Sequence, residues 1–79
     1  MKNLKEIKEL IAKSEQILLD IEILYQKIEV EKQSMAGAIE RSDFFMISDC
    51  RIAISDYEEK ISAKRVEFKK IQSEIIDLF

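Results

Sequence analysis

The sequence has no histidine, no proline and no tryptophan, and it has one cysteine and one glycine among its 79 residues. A single cysteine excludes a disulfide within the chain. Without histidine, the commonest general base at neutral pH and a usual zinc ligand are missing. A sheet protein would need turn residues at short intervals, and these are nearly lacking. We therefore expect no catalytic residue, no cofactor and no metal ion.

The residues that are present are typical of long helices. Hydrophobic residues make up 47% of the chain and charged residues 37%. Disordered chains are poorer in Ile, Leu and Phe and richer in Pro and Gly. The net charge of −3 gives no general attraction to nucleic acid or anionic lipid. The chain lacks both a signal-peptide core and a run of about 20 apolar residues. The sequence predicts a small acidic cytoplasmic protein without membrane contact.

Two segments show the seven-residue repeat of paired helices, in which positions a and d form an apolar seam. In the first segment the predicted seam is Leu4, Ile7, Ile11, Ser14, Leu18, Ile21, Tyr25, Ile28, Lys32 and Met35. Leu10, Ile17 and Leu24, at position g, widen it. In the second the predicted seam is Ile47, Cys50, Ile54, Tyr57, Ile61, Lys64, Phe68, Ile71, Ile75 and Leu78. This pattern predicts two helices that pack along their length.

The two seams are out of phase, which indicates a break between them. Gly37 is the only glycine, and a glycine often closes a helix in the left-handed conformation. We predict a first helix over about residues 3–35, a turn over 36–42 and a second helix over 43–78, all in one domain. Asn3 is the predicted first cap, with Glu6 completing a capping box. Ser42-Asp43 or, later, Ser48-Asp49 would cap the second helix, and a short third helix over 39–46 is the alternative for the corner.

Apolar residues outside the seams exceed what a single pair of helices can bury. Leu19, Ile23 and Val30 lie off the first seam, and Phe45 and Ile52 lie off the second. A helix that is apolar on several sides is normally buried on several sides. The sequence therefore predicts an all-α, coiled-coil-like antiparallel hairpin that dimerises into a four-helix bundle or docks on a partner. These five residues are the predicted partner-binding residues of a non-enzymatic protein-interaction module, a small chaperone-like, adaptor or inhibitory protein.

Two alternative functions remain open from the sequence. A purely structural homodimer would use the same apolar surplus as its own core. A nucleic-acid-binding hairpin would use a basic stretch in the second helix, formed by Lys60, Lys64, Arg65, Lys69 and Lys70. Glu58, Glu59 and Glu67 dilute that stretch, and acidic and basic neighbours at this spacing are common on helix surfaces. The pattern therefore favours a protein partner over nucleic acid.

Overall fold

The computed structural model describes residues 3–79, which form two helices packed against each other. Helix α1 covers Leu4–Glu40 and helix α2 covers Phe44–Asp77. The three residues between them reverse the chain, so the helices run antiparallel along a body of 61 × 14 × 11 Å. The prediction of an all-helical hairpin is confirmed. No helix within residues 3–79 is long and apolar enough to cross a membrane.

The seam of α2 lies where the repeat predicts it. All ten predicted seam residues are buried or half-buried, and Cys50, Ile61 and Ile71 are the most covered. Lys64 keeps its place in the seam because its ammonium reaches outward, where Nζ lies 3.4 Å from Asp20 Oδ2. The α2 residues at positions e and g, on either side of this seam, are mostly charged. Only the a and d face of α2 could therefore turn toward α1.

The predicted seam of α1 is wrong at one of its two heptad positions. We call the residues that share a heptad position, and so recur every seven residues along the helix, a column. The residues that face α2 are at positions d and g: Ile7, Leu10, Ser14, Ile17, Ile21, Leu24, Ile28, Glu31, Met35 and Ala38. The predicted a residues Leu4, Ile11, Leu18 and Tyr25 are instead 42–50% exposed. Lys32, also at position a, is exposed. Three columns of α1 are apolar, and one neighbouring helix covers only two of them.

The predicted break at Gly37 is also wrong, because α1 continues through Gly37 to Glu40. The left-handed residue is Ser42, with φ of 55°. The N–H of Asp43 donates to the carbonyl of Ala38 at 2.9 Å, and that of Ser42 donates to Ile39 at 3.1 Å. This pair of bonds is the Schellman motif, with serine where glycine is usual. Residues 39–46 do not form a third helix.

Gly37 has a different role inside the helix. A Cβ atom at this position would lie 3.2 Å from Nη1 of Arg41. The Arg41 side chain crosses this space toward Met46, whose Sδ lies 3.4 Å from Nη2. Ala38 beside it is fully buried, so the two helices approach closely at this end. The small residues at 37 and 38 therefore permit the tight corner.

The two helix starts differ in how they are capped. Asp43 caps α2, and its side chain accepts a hydrogen bond from the N–H of Met46 at 3.1 Å. This selects Asp43 over Asp49 among the two predicted caps. Asn3 occupies the cap position of α1, but its side chain makes no capping hydrogen bond. The first half of the predicted capping box is therefore not formed, and α1 starts with less local support than α2.

Replacing Ser42 by glycine is expected to raise the free energy of unfolding by about 1 kcal/mol, because serine is strained at this positive φ and glycine is not. Urea denaturation monitored by circular dichroism measures the change. Ser34→Gly is the matched control: Ser34 is exposed within α1, and glycine there should cost about 0.5–1 kcal/mol. A loss of stability in Ser42→Gly would contradict this account of the turn.

Candidate protein-interaction surface

Three of the predicted partner-binding residues form one exposed stripe on α1. Leu19, Ile23 and Val30 follow at intervals of four and seven residues, which places them on neighbouring columns of the helix. They are 53%, 50% and 60% exposed. We call these three residues the partner stripe. The stripe lies well away from the d and g columns that α2 covers, so the hairpin itself leaves it open.

The partner stripe borders a groove that runs between the two helices. Ile23 lines it at two successive levels, with Leu24 and Ala63 at one and with Val30 and Tyr57 at the next. The apolar side chains thus come from both helices. We call this the partner groove. It is open along its length, so a rod-shaped ligand such as a helix fits it better than a small molecule does.

Lysines from both helices surround Tyr57 in the partner groove. The Nζ atoms of Lys27 and Lys60 each lie 5.9 Å from the centre of the Tyr57 ring. At exposed sites such a contact is worth about 0.5–1 kcal/mol, enough to bias where the lysines lie. The one salt bridge among residues 3–79 joins Lys64 to Asp20. Glu31 and Glu67 also line the groove, so Lys27 and Lys60 form part of a lining with charges of both signs.

The other two predicted partner-binding residues lie on α2, separate from the partner stripe. Phe45 is 88% exposed and Ile52 is 59% exposed, and they lie seven residues apart. Ile52 lies beside Phe44 and Arg51 in a cleft formed by α2 alone. Phe45 lines a cleft between the two helices near the turn, together with Glu31, which also lines the partner groove. Phe45 therefore adjoins the turn end of the partner groove, whereas Ile52 lies outside it.

Comparisons with known proteins found no relative. No protein-family model matches the chain, and no curated protein or solved structure matches it. The physical features of the surface are therefore the basis for assigning a function.

The basic stretch of α2 does not form a single patch. Lys64 pairs with Asp20, and Lys60 lies over Tyr57 on the same side. The Arg65 guanidinium donates to the Tyr25 hydroxyl on the opposite side of the hairpin. Lys69 and Lys70 follow on the exposed side of α2. A nucleic-acid backbone needs cations along one continuous track, and these side chains point in several directions.

Cys50 is a core residue. It is 4% exposed, as its seam position predicted. Burial raises the pKa of the Cys50 thiol above its ordinary value of 9.0, and the hydrogen bond and negative charge of Glu31 raise it further. The charges of Asp49 and Asp43 act in the same direction. A reactive cysteine needs a lowered pKa and access to solvent, so the surroundings of Cys50 favour a packing role.

Proposed function

We propose that the protein is a non-enzymatic protein-interaction module that binds an amphipathic helix of another protein in the partner groove. The observation that carries this proposal is the exposed partner stripe beside a groove to which both helices contribute apolar side chains. Fully burying one large apolar side chain contributes roughly 1.5–3 kcal/mol of favourable free energy, which is not gained while the side chain remains in water. A bound helix would recover part of that free energy.

The partner groove carries charges of both signs that a bound helix has to match. Lys27 and Lys60 flank the groove, and Glu31 and Glu67 also line it. A helix that presents leucine-like residues to Ile23 and Val30, with acidic and basic residues alternating along its borders, would match both the apolar lining and these charges. Such charges add mainly to specificity and to the rate of association.

We also propose that the hairpin dimerises into a four-helix bundle. A hairpin of this size has a small core, since only seven hydrophobic residues among 3–79 are buried. Chains this short commonly gain stability from oligomerisation when disulfides and metals are lacking. Two hairpins that stack would bury a second set of apolar columns. Partner binding then takes place on the sides that the bundle leaves open.

The experiment compares Ile23→Glu with the wild type in affinity capture from a lysate of the native host. We expect a specific protein to be captured by the wild type and lost with Ile23→Glu, because a carboxylate at the centre of the groove cannot be buried without cost. Val66→Glu is the matched control: Val66 is 70% exposed on the other side of α2. Equal capture by Ile23→Glu and wild type would overturn the proposal.

A further inference from the structure

An exposed apolar row extends along nearly the whole of α1, on a different side from the partner stripe. Its members recur every seven residues: Leu4, Ile11, Leu18, Tyr25, Lys32 and Ile39. We call them the outer row. At about 1.5 Å per residue the row is roughly 50 Å long, against 61 Å for the whole hairpin. Five of its six members are apolar or aromatic, and these five are 42–58% exposed.

The outer row shares one broad side of the hairpin with a row on α2 that is aromatic at both ends and polar between them. The contact between Arg65 and Tyr25 shows that these two positions lie on the same side. At seven-residue intervals Arg65 is followed by Gln72 and Phe79, and it is preceded by Glu58, Arg51 and Phe44. Phe44 and Phe79 are 76% and 79% exposed at the two ends. We call this side, with both rows, the outer face.

The area of the outer face fits an interface between two copies. The chain exposes 6190 Å², whereas a compact monomer of its mass exposes about 5,000 Å². A face of 61 by 14 Å has a projected area of about 850 Å², so full contact between two copies would cover on the order of 1,700 Å² in total. Stable specific interfaces bury about 1,200–2,000 Å². The outer face is therefore large enough for a stable dimer.

We propose that a second copy of this chain covers the outer face, with α1 of each copy lying over α2 of the other. The twofold axis then runs along the length of the four-helix bundle. Leu4 and Ile39, at the ends of the outer row, would meet Phe79 and Phe44 of the second copy. The row would thereby become the seam between the hairpins, while columns d and g remain the seam within each hairpin.

Charge decides between the two ways of stacking the hairpins. Glu15, Glu22 and Glu29 follow the outer row at a distance of four residues and form its acidic border. Placing α1 over α1 of the second copy would bring these glutamates against each other. Placing α1 over α2 instead brings Glu15 toward Arg65 and Glu29 toward Arg51, while Glu22 comes level with Glu58, so two of the three contacts are favourable. Neither Glu29 nor Arg51 takes part in the salt bridge found among residues 3–79.

This interface is separate from the partner groove. At about 100° per residue, Ile23 and Val30 lie roughly 140° around α1 from the outer row. A dimer through the outer face leaves the partner groove open on both copies. Self-association through the outer face and binding of a partner in the groove can therefore be tested separately.

Sedimentation equilibrium of the wild type, Leu18→Glu and Ile23→Glu tests the proposal. At roughly 100 µM the wild type should have twice the chain mass of 9.3 kDa. Each interface contains two copies of Leu18, so Leu18→Glu should raise the dissociation constant about a hundredfold or more. Ile23→Glu, equally exposed but outside the outer face, should remain a dimer. Circular dichroism verifies helix content, and Ile11→Glu replaces Leu18→Glu if that variant loses it.

A charge exchange tests the stacking arrangement. Glu29→Arg alone and Arg51→Glu alone should each weaken the dimer several-fold, and the double variant should recover wild-type affinity. A monomeric wild type, a folded Leu18→Glu that stays dimeric, or dissociation by Ile23→Glu would overturn the outer face as the interface. Absence of recovery in the double variant would overturn the placement of α1 over α2.

Discussion

Replacing Ile17 by alanine is expected to lower the free energy of unfolding by about 2 kcal/mol or more, whereas Leu18→Ala should cost less than about 1 kcal/mol. The two residues are neighbours in the chain and close in size. Ile17 is 5% exposed against α2, and Leu18 is 50% exposed on the outer row. Truncating Ile17 leaves a gap in the seam, while truncating Leu18 removes surface that water already reaches.

Urea denaturation of both variants measures the difference. The experiment is done at a protein concentration where sedimentation shows the monomer, so that any loss of dimer does not add to the Leu18 value. Far-ultraviolet circular dichroism follows the unfolding of the helices. A larger loss in Leu18→Ala than in Ile17→Ala would place the seam where the sequence repeat predicted it and would contradict the rotated seam.

Enlarging Ala38 to leucine is expected to cost about 1–3 kcal/mol, because Ala38 has no exposed surface at the point where the helices converge. A leucine there would force α1 and α2 apart beside the turn, and the Asp43–Ala38 hydrogen bond at 2.9 Å would be strained. Ala36→Leu is the matched control, since Ala36 is exposed on the same helix two residues earlier.

Thermal and urea unfolding of Ala38→Leu and Ala36→Leu measure the difference in stability between the two variants. We expect Ala36→Leu to stay within about 0.5 kcal/mol of the wild type, as surface substitutions usually do. If Ala38→Leu were as stable as Ala36→Leu, the helices could not be closely packed at the corner. The small residues at 37 and 38 would then have no structural role there.

The seam of α2 could be predicted from sequence because only its a and d columns are consistently apolar. In α1 the columns containing Ile7, Leu10 and Ile11 are all apolar, and the repeat alone does not say which two a single neighbour covers. Which two columns of α1 are covered depends on the direction in which the turn places α2. That direction is set by Ser42 and Asp43, and serine gives no sequence signal for a left-handed residue.

The candidate site could be predicted only in part for a related reason. The exposed positions of Leu19, Ile23 and Val30 follow from the pattern of α1 alone. The approach of Lys27 and Lys60 to Tyr57 depends on how far one helix is shifted along the other. That shift is set by the length of the turn, and the turn predicted from the sequence, over residues 36–42, begins too early. Tyr57 was therefore predicted as a seam residue only.

Photo-crosslinking from position 23 is the sharpest test of whether the partner groove binds another protein. A benzophenone amino acid replaces Ile23, and the same group at Val66 is the control on the other side of the hairpin. In cells of the native host, we expect position 23 to give a crosslinked product that joins this chain to a single other protein, and we expect no such product from position 66. No product from position 23, or the same products from both positions, would contradict binding of another protein in the groove.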